Sequence, residues 1–221
     1  MAFKLAHTSL QCNMKNGRLG GMTVIPYLLN AFDGDGATFM WALTAILAFG
    51  LAVLIERIWT TRTRLQADAE AVHAALDAGD SDVAQHAPDG SPMHALIQAG
   101  QGAASADAAW DAMGAVVARS EPQIHRHIPY LATIGNLATM LGLLGTVYGL
   151  ILAFSALGDT SAGERAVRLS EGISTAMATT AYGLMVGIPA LAAHAWLDGR
   201  ARELTAQLEA VAGRIALSKR G

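Results

Sequence analysis

The stretch IPYLATIGNLATMLGLLGTVYGLILAFSALG, residues 128–158, contains no Asp, Glu, Lys or Arg, and neither does GISTAMATTAYGLMVGIPALAAHAWL at 172–197. A helix rises about 1.5 Å per residue and the hydrocarbon core of a bilayer is about 30 Å thick, so roughly 20 apolar residues span it. Both stretches are long enough. A third, 36–55, carries Phe39, Met40, Trp41, Leu43, Ile46, Leu47, Phe49, Leu51, Val53 and Leu54, with Thr38 and Thr44 as its side-chain hydroxyls. The expected fold is therefore all-α: a multi-pass membrane protein with three transmembrane helices, extended by cytoplasmic helices. A hydrophobic fraction of 52% and a charged fraction of 15% suit a chain with about a third of its length in lipid. The net charge of −3 gives no basis for binding nucleic acid.

Lys and Arg near the ends of membrane spans mark the cytoplasmic side. Asp33 and Asp35 precede the first span and Arg57, Arg62 and Arg64 follow it, so its N-terminal end is expected to face outward. Arg119 and Arg126 before the second span, and Arg200 and Arg202 after the third, place those ends in the cytoplasm. Arg165 and Arg168 in the connecting loop point the other way, offset by Asp159, Glu164 and Glu171. The resulting organisation is a periplasmic N-terminal segment at 1–36, transmembrane helices at 37–58, 128–157 and 169–197, a helical cytoplasmic domain at 59–127, a periplasmic loop at 158–168 and a cytoplasmic C-terminal helix at 198–221.

The first 21 residues are polar and lack the apolar core of a signal peptide; either Met1 or Met22 can serve as the start. Cys12 is the single cysteine, so an intrachain disulfide or a cysteine-based metal site is excluded. Between spans one and two, Leu65, Ala69, Val72 and Leu76 recur at helical spacing, Ser91-Pro92 can cap a helix through Gln98, and Ser105 can cap another through Trp110, Met113, Val116 and Val117. Pro122 is expected to interrupt or kink that last helix. A domain of this size cannot build a core alone and is expected to pack on its own membrane helices or on identical neighbours. After the third span, Leu204, Leu208, Val211 and Ile215 line one side of an amphipathic helix.

Catalytic signatures are missing: no GxSxG, HExxH, CxxC or phosphate-binding glycine loop with a lysine occurs, and neither an enzymatic activity nor a cofactor is expected. His125 and His127 form the one close histidine pair, but residues two apart point to different sides of a helix, so no metal site is expected. His194 lies near the cytoplasmic end of span three.

The polar atoms inside the spans are ordered. Thr139 and Thr146 are seven residues apart on one face, with Gly135, Gly142 and Gly149 on or beside it. In span three Ala176, Thr180, Gly183 and Gly187 form a matching stripe, with Thr175 and Thr179 close by. In an antiparallel hairpin turning near Gly163, Thr146 and Thr180 lie level, about 25 Å from the cytoplasmic ends at about 1.5 Å per residue. Such stripes serve close helix packing, with the threonine hydroxyl returned to a carbonyl one turn back, or they line a polar pathway; spacing leaves both open. A proton pathway also needs an ionisable group, and neither span has one at its centre. Any carboxylate must come from a partner.

The runs Ile128-Pro-Tyr-Leu-Ala-Thr-Ile-Gly135 and Gly142-Leu-Leu-Gly-Thr-Val-Tyr-Gly149 closely resemble the second span of ExbB- and TolQ-type subunits of the MotA/TolQ/ExbB proton channel family. The run from Gly172 to Pro189 resembles their third span, and Glu56-Arg57 looks like the end of their first. The resemblance implies a homopentamer in the bacterial inner membrane whose second and third spans line a pore. It further implies a single-span ExbD/TolR-like partner, in two copies, whose membrane Asp carries the proton. Thr146 and Thr180 match the family's pore threonines, and Thr139, Thr175 and Thr179 join the expected lining; Gly142, Gly145, Gly149, Gly183 and Gly187 are the expected packing positions. The family usually has glutamate where this chain has Thr175, and Glu171, one turn earlier, is the candidate outer-side acid. The expected function is a stator subunit that uses the proton motive force to energise TonB-type uptake, Tol-type envelope maintenance or gliding. The alternative is a non-conducting pentameric scaffold for a single-span partner.

Overall fold

The computed structural model describes residues 31–34, 36–62, 69–78, 83–155 and 162–220. Most of the expected N-terminal segment, together with Leu65 and Asp159, lies outside the described residues. Among the described residues the helices are α1 (Ala37–Thr60), α2 (Ala69–Asp77), α3 (Pro92–Gly102), α4 (Ala106–Ile124), α5 (Ile128–Ser155) and α6 (Ala162–Ser218), with a 3-10 turn at Val83–His86 and no strand. Three helical stretches are long and apolar enough to cross a membrane. The architecture is all-α with three membrane-spanning candidates, as the uncharged runs require.

Helix starts follow their local chemistry. Ser91 is extended (φ −73°, ψ 154°) and its Oγ accepts from the His94 N–H at 3.1 Å, while Pro92 occupies the first turn, where its missing N–H costs nothing. Ser105 caps α4 in the same way, accepting from the Ala108 N–H at 3.2 Å. α3 runs on to Gly102, one turn past Gln98. Pro122 does not end α4: the helix continues to Ile124, and the His125 N–H still donates to Glu121 O at 3.0 Å. The break falls at residues 125–127, where His127 takes a left-handed backbone (φ 65°) that an L-residue seldom adopts. A proline disturbs hydrogen bonding toward its N-terminal side, whereas the left-handed residue changes the direction of the chain, so the turn sits there.

α6 unites the third apolar run and the amphipathic tail in one helix of 57 residues, with Pro189 inside it. Its first two turns carry Glu164, Arg165 and Arg168, residues that the charge pattern assigns to the connecting loop.

The chain divides into two compact units, one formed by Met1–Phe49 with Ile134–Pro189 and the other by Gly50–Thr133 with Ala190–Gly221. In the first unit, Met40 is buried with Ala178, and Leu43 with Ala138 and Val186; Tyr182 borders both groups. Its remaining surface is greasy: Trp41, Phe49, Met140, Leu143, Ile151, Phe154, Met177, Met185 and Ile188 are each more than half exposed. So large an apolar surface is incompatible with water and belongs against lipid or other helices.

The second unit has a larger core. Val72, Val83, Leu96, Ile97, Met113 and Ile124 pack with Ile128, Leu131 and Leu197, and with Leu208, Val211 and Ile215 of the α6 tail. The segment too small for a core of its own is completed by residues from α5 and α6. Lys219 Nζ donates to Gln101 O at 3.1 Å and to Ala103 O, and Arg220 pairs with Asp107 at 3.1 Å, tying the tail to the end of α3 and the start of α4.

Candidate functional site

Glycines bring α5 and α6 of the first unit almost backbone to backbone. A Cβ placed on Gly142 meets Gly183 Cα and Thr179 O, both at 3.1 Å; one placed on Gly149 meets Gly172 O at 2.7 Å. No side chain fits in those gaps without separating the helices. Gly145 lies against the Thr179 side chain, Gly183 against Ala138 O, and Gly187 against Thr139 Oγ1 and Gly135 O. All five packing glycines named from sequence therefore sit in one antiparallel seam. The contacts of Gly142 with Gly183 and of Gly149 with Ala176 set residue 146 opposite residues 179 and 180.

The threonines divide by what their hydroxyls do. Thr139 Oγ1 donates to Gly135 O at 3.0 Å, and Thr179, fully buried, donates to Thr175 O and Ala176 O at 3.0 Å each. Thr180 Oγ1 instead crosses the seam to Gly142 O at 3.2 Å, while Thr146 Oγ1 donates to Leu143 O at 2.6 Å. Thr146 and Thr180 stay partly exposed. The methyl group of Thr175 lies where a Cβ on Gly36 would be, 2.6 Å from it, and that of Thr179 is 3.4 Å from the same point. Thus Thr175 and Thr179 form the contact with the residue just before α1, and Thr179 also fills the space left by Gly145.

The hydroxyls of Thr139, Thr146, Thr179 and Thr180 each have their hydrogen satisfied by a carbonyl, but their oxygen lone pairs can still accept from a protonated carboxyl or a water. From Gly135 to Ser155 and from Gly172 to Gly187, the lengths that form the seam, there is no carboxylate or histidine; His194 lies beyond them, and Glu171 is exposed just before the third apolar run. The seam can offer acceptors to a proton carrier; it has no carrier of its own. A further polar contact was not visible in the sequence: Thr44 Oγ1 and Tyr182 OH lie 3.0 Å apart and link α1 to α6. Both residues stand in apolar runs, and nothing in their spacing signals the pairing.

In the second unit the histidines are separately engaged. His127 Nδ1 lies 2.9 Å from Glu56 Oε2, His125 Nδ1 lies 3.7 Å from Asp198, and His194 Nδ1 lies 3.1 Å from Ile128 O. No group of three potential metal ligands occurs among the described residues.

Residues 84–210, more than half of the chain, match the model of the MotA/TolQ/ExbB proton channel family. The chain belongs to that family. Among its relatives in the MotA/TolQ/ExbB family, it is 32% identical over 181 residues to an ExbB-like biopolymer transport protein of Synechocystis, covering 77% of this chain and 70% of that protein. It is 33% identical over 93 residues to the Tol-Pal system protein TolQ of Pseudomonas aeruginosa, covering 42% of this chain and 40% of TolQ. It is 36% identical over 99 residues to biopolymer transport protein exbB1 of Vibrio cholerae, covering 45% of this chain and 43% of exbB1. The chain thus spans about two fifths of the length of the latter two relatives.

Proposed function

We propose that this chain is the proton-channel (stator) subunit of a motor in the bacterial inner membrane, driven by the proton motive force and energising a periplasmic or outer-membrane process. TonB-type uptake, Tol-type envelope maintenance and gliding are the candidate processes. The observation that carries the reading is the seam between α5 and α6, which has threonine hydroxyls at one level, close backbone packing and no ionisable group in its apolar length. In a family of proton channels, such a face needs a carboxylate from another chain. An ExbD/TolR-like single-span partner, in two copies within a homopentamer, supplies it as a membrane Asp. The protein then acts without catalysing a reaction: protonation and release of that Asp change how the partner helix is held. Each charge moved through 100 mV supplies about 2.3 kcal/mol. The distribution of Arg around the spans supports a periplasmic N-terminus and a cytoplasmic C-terminus.

A second reading rests on Thr175. Where relatives of this type usually carry glutamate, this chain has a threonine whose methyl is committed to the contact with Gly36, which suits a pentameric scaffold without conduction. Thr146→Val and Thr180→Val separate the two readings, because each removes a hydroxyl with little change of shape. Under the channel reading both variants assemble with the partner and lose proton-dependent activity in cells; assembly with full proton-dependent activity in both would overturn the channel-lining role of these threonines.

A further inference from the structure

The second unit holds an open cleft of about 680 Å³ whose lining includes Glu56, Arg57, Ser91, Pro92, Arg119 and Arg126. Three guanidinium groups face one carboxylate among the lining residues, and that carboxylate, Glu56, is engaged by His127 at 2.9 Å. The cleft is therefore positive. The start of α3 borders it, which adds the positive end of an 11-residue helix.

Arg57 is the unusual member. It is 2% exposed, its Nη2 donates to Ile124 O, and its Nε has no hydrogen-bond partner. A buried guanidinium with an unused donor is costly unless an anion supplies acceptors, and phosphate oxygens match its fork of N–H groups. The position says where such an anion comes from. The apolar part of α1, residues 37–55, is about 28 Å long at about 1.5 Å per residue, close to the hydrocarbon thickness. Glu56 and Arg57 follow at once, at the depth of lipid headgroups.

We infer that this cleft binds a phosphate group, contributed by the headgroup of an anionic phospholipid, with Arg57 as its buried anchor and Arg119 and Arg126 at its rim. The site is independent of the proton pathway and involves none of the seam threonines.

The test uses the full chain purified in detergent, with binding of phosphatidylglycerol, phosphatidylcholine and inorganic phosphate followed by native mass spectrometry and thermal shift. The Arg119→Gln/Arg126→Gln double variant alters two exposed side chains and leaves Arg57 in place. The wild type is expected to prefer phosphatidylglycerol over phosphatidylcholine, and the double variant to bind phosphatidylglycerol at least about tenfold more weakly. Arg200→Gln/Arg202→Gln, a charge-matched change outside the cleft, is expected to leave binding unaltered. Unchanged phosphatidylglycerol binding in the double variant would overturn the site. Stabilisation by inorganic phosphate as strong as by the lipid, and lost in the double variant, would overturn the lipid source.

Discussion

Thr179 and Thr180 are sequence neighbours with different surroundings. Thr179 is fully buried, bonded to its own helix and packed on Gly145; Thr180 is partly exposed and bonded across to Gly142. Successive helical residues point about 100° apart, so a single face cannot hold both. Thr180→Val removes an inter-helix bond of the kind worth about 0.6 kcal/mol in membrane proteins, and a correspondingly small drop in detergent melting temperature is expected. Gly149→Ala is the harsher change, because its Cβ would lie 2.7 Å from Gly172 O; overpacking at about 1–3 kcal/mol should appear as a clear loss of thermal stability. Gly114, in the middle of α4, meets nothing within 4 Å, so Gly114→Ala should stabilise by roughly 0.5–1 kcal/mol in the same assay.

At the scale of elements, the three apolar helices and both serine caps were legible in the sequence, since uncharged length and Ser-Pro chemistry are local properties. Ser105→Ala should cost about 1 kcal/mol, read as a lower melting temperature of the second unit's helices by circular dichroism. Pro122 predicts an interruption or a kink, whereas the helix runs through it and the chain turns at 125–127, because proline is visible in a sequence while the left-handed backbone of His127 depends on its surroundings. The glycine positions were also legible as small residues at helical spacing, and the family resemblance marked five of them for packing, which spacing alone could not do. Spacing left packing and pathway open; the distances show that the glycines are committed to the seam, and only the hydroxyls at 146 and 180 combine their level with partial exposure. Tyr182 with Thr44 and the buried Arg57 escaped the sequence reading because each depends on contacts between residues 67 or more positions apart.

For the whole molecule, the division of labour is between a first unit with an apolar outer surface and a glycine seam, and a second unit with a conventional helical core. The proposed topology is open to direct labelling. Cys12 is the single cysteine, so a membrane-impermeant maleimide should modify it in intact spheroplasts, whereas a Cys12→Ser/Arg220→Cys variant should be modified only after lysis. The central claim is that the seam lines a proton pathway whose carrier belongs to another chain. Proton flux into liposomes, driven by an imposed potential, tests it most directly. The account predicts no flux with this chain alone, flux when it is reconstituted with a partner bearing a membrane Asp, and loss of that flux with Thr146→Val/Thr180→Val; conduction by this chain alone, or undiminished flux in the double variant, would contradict it.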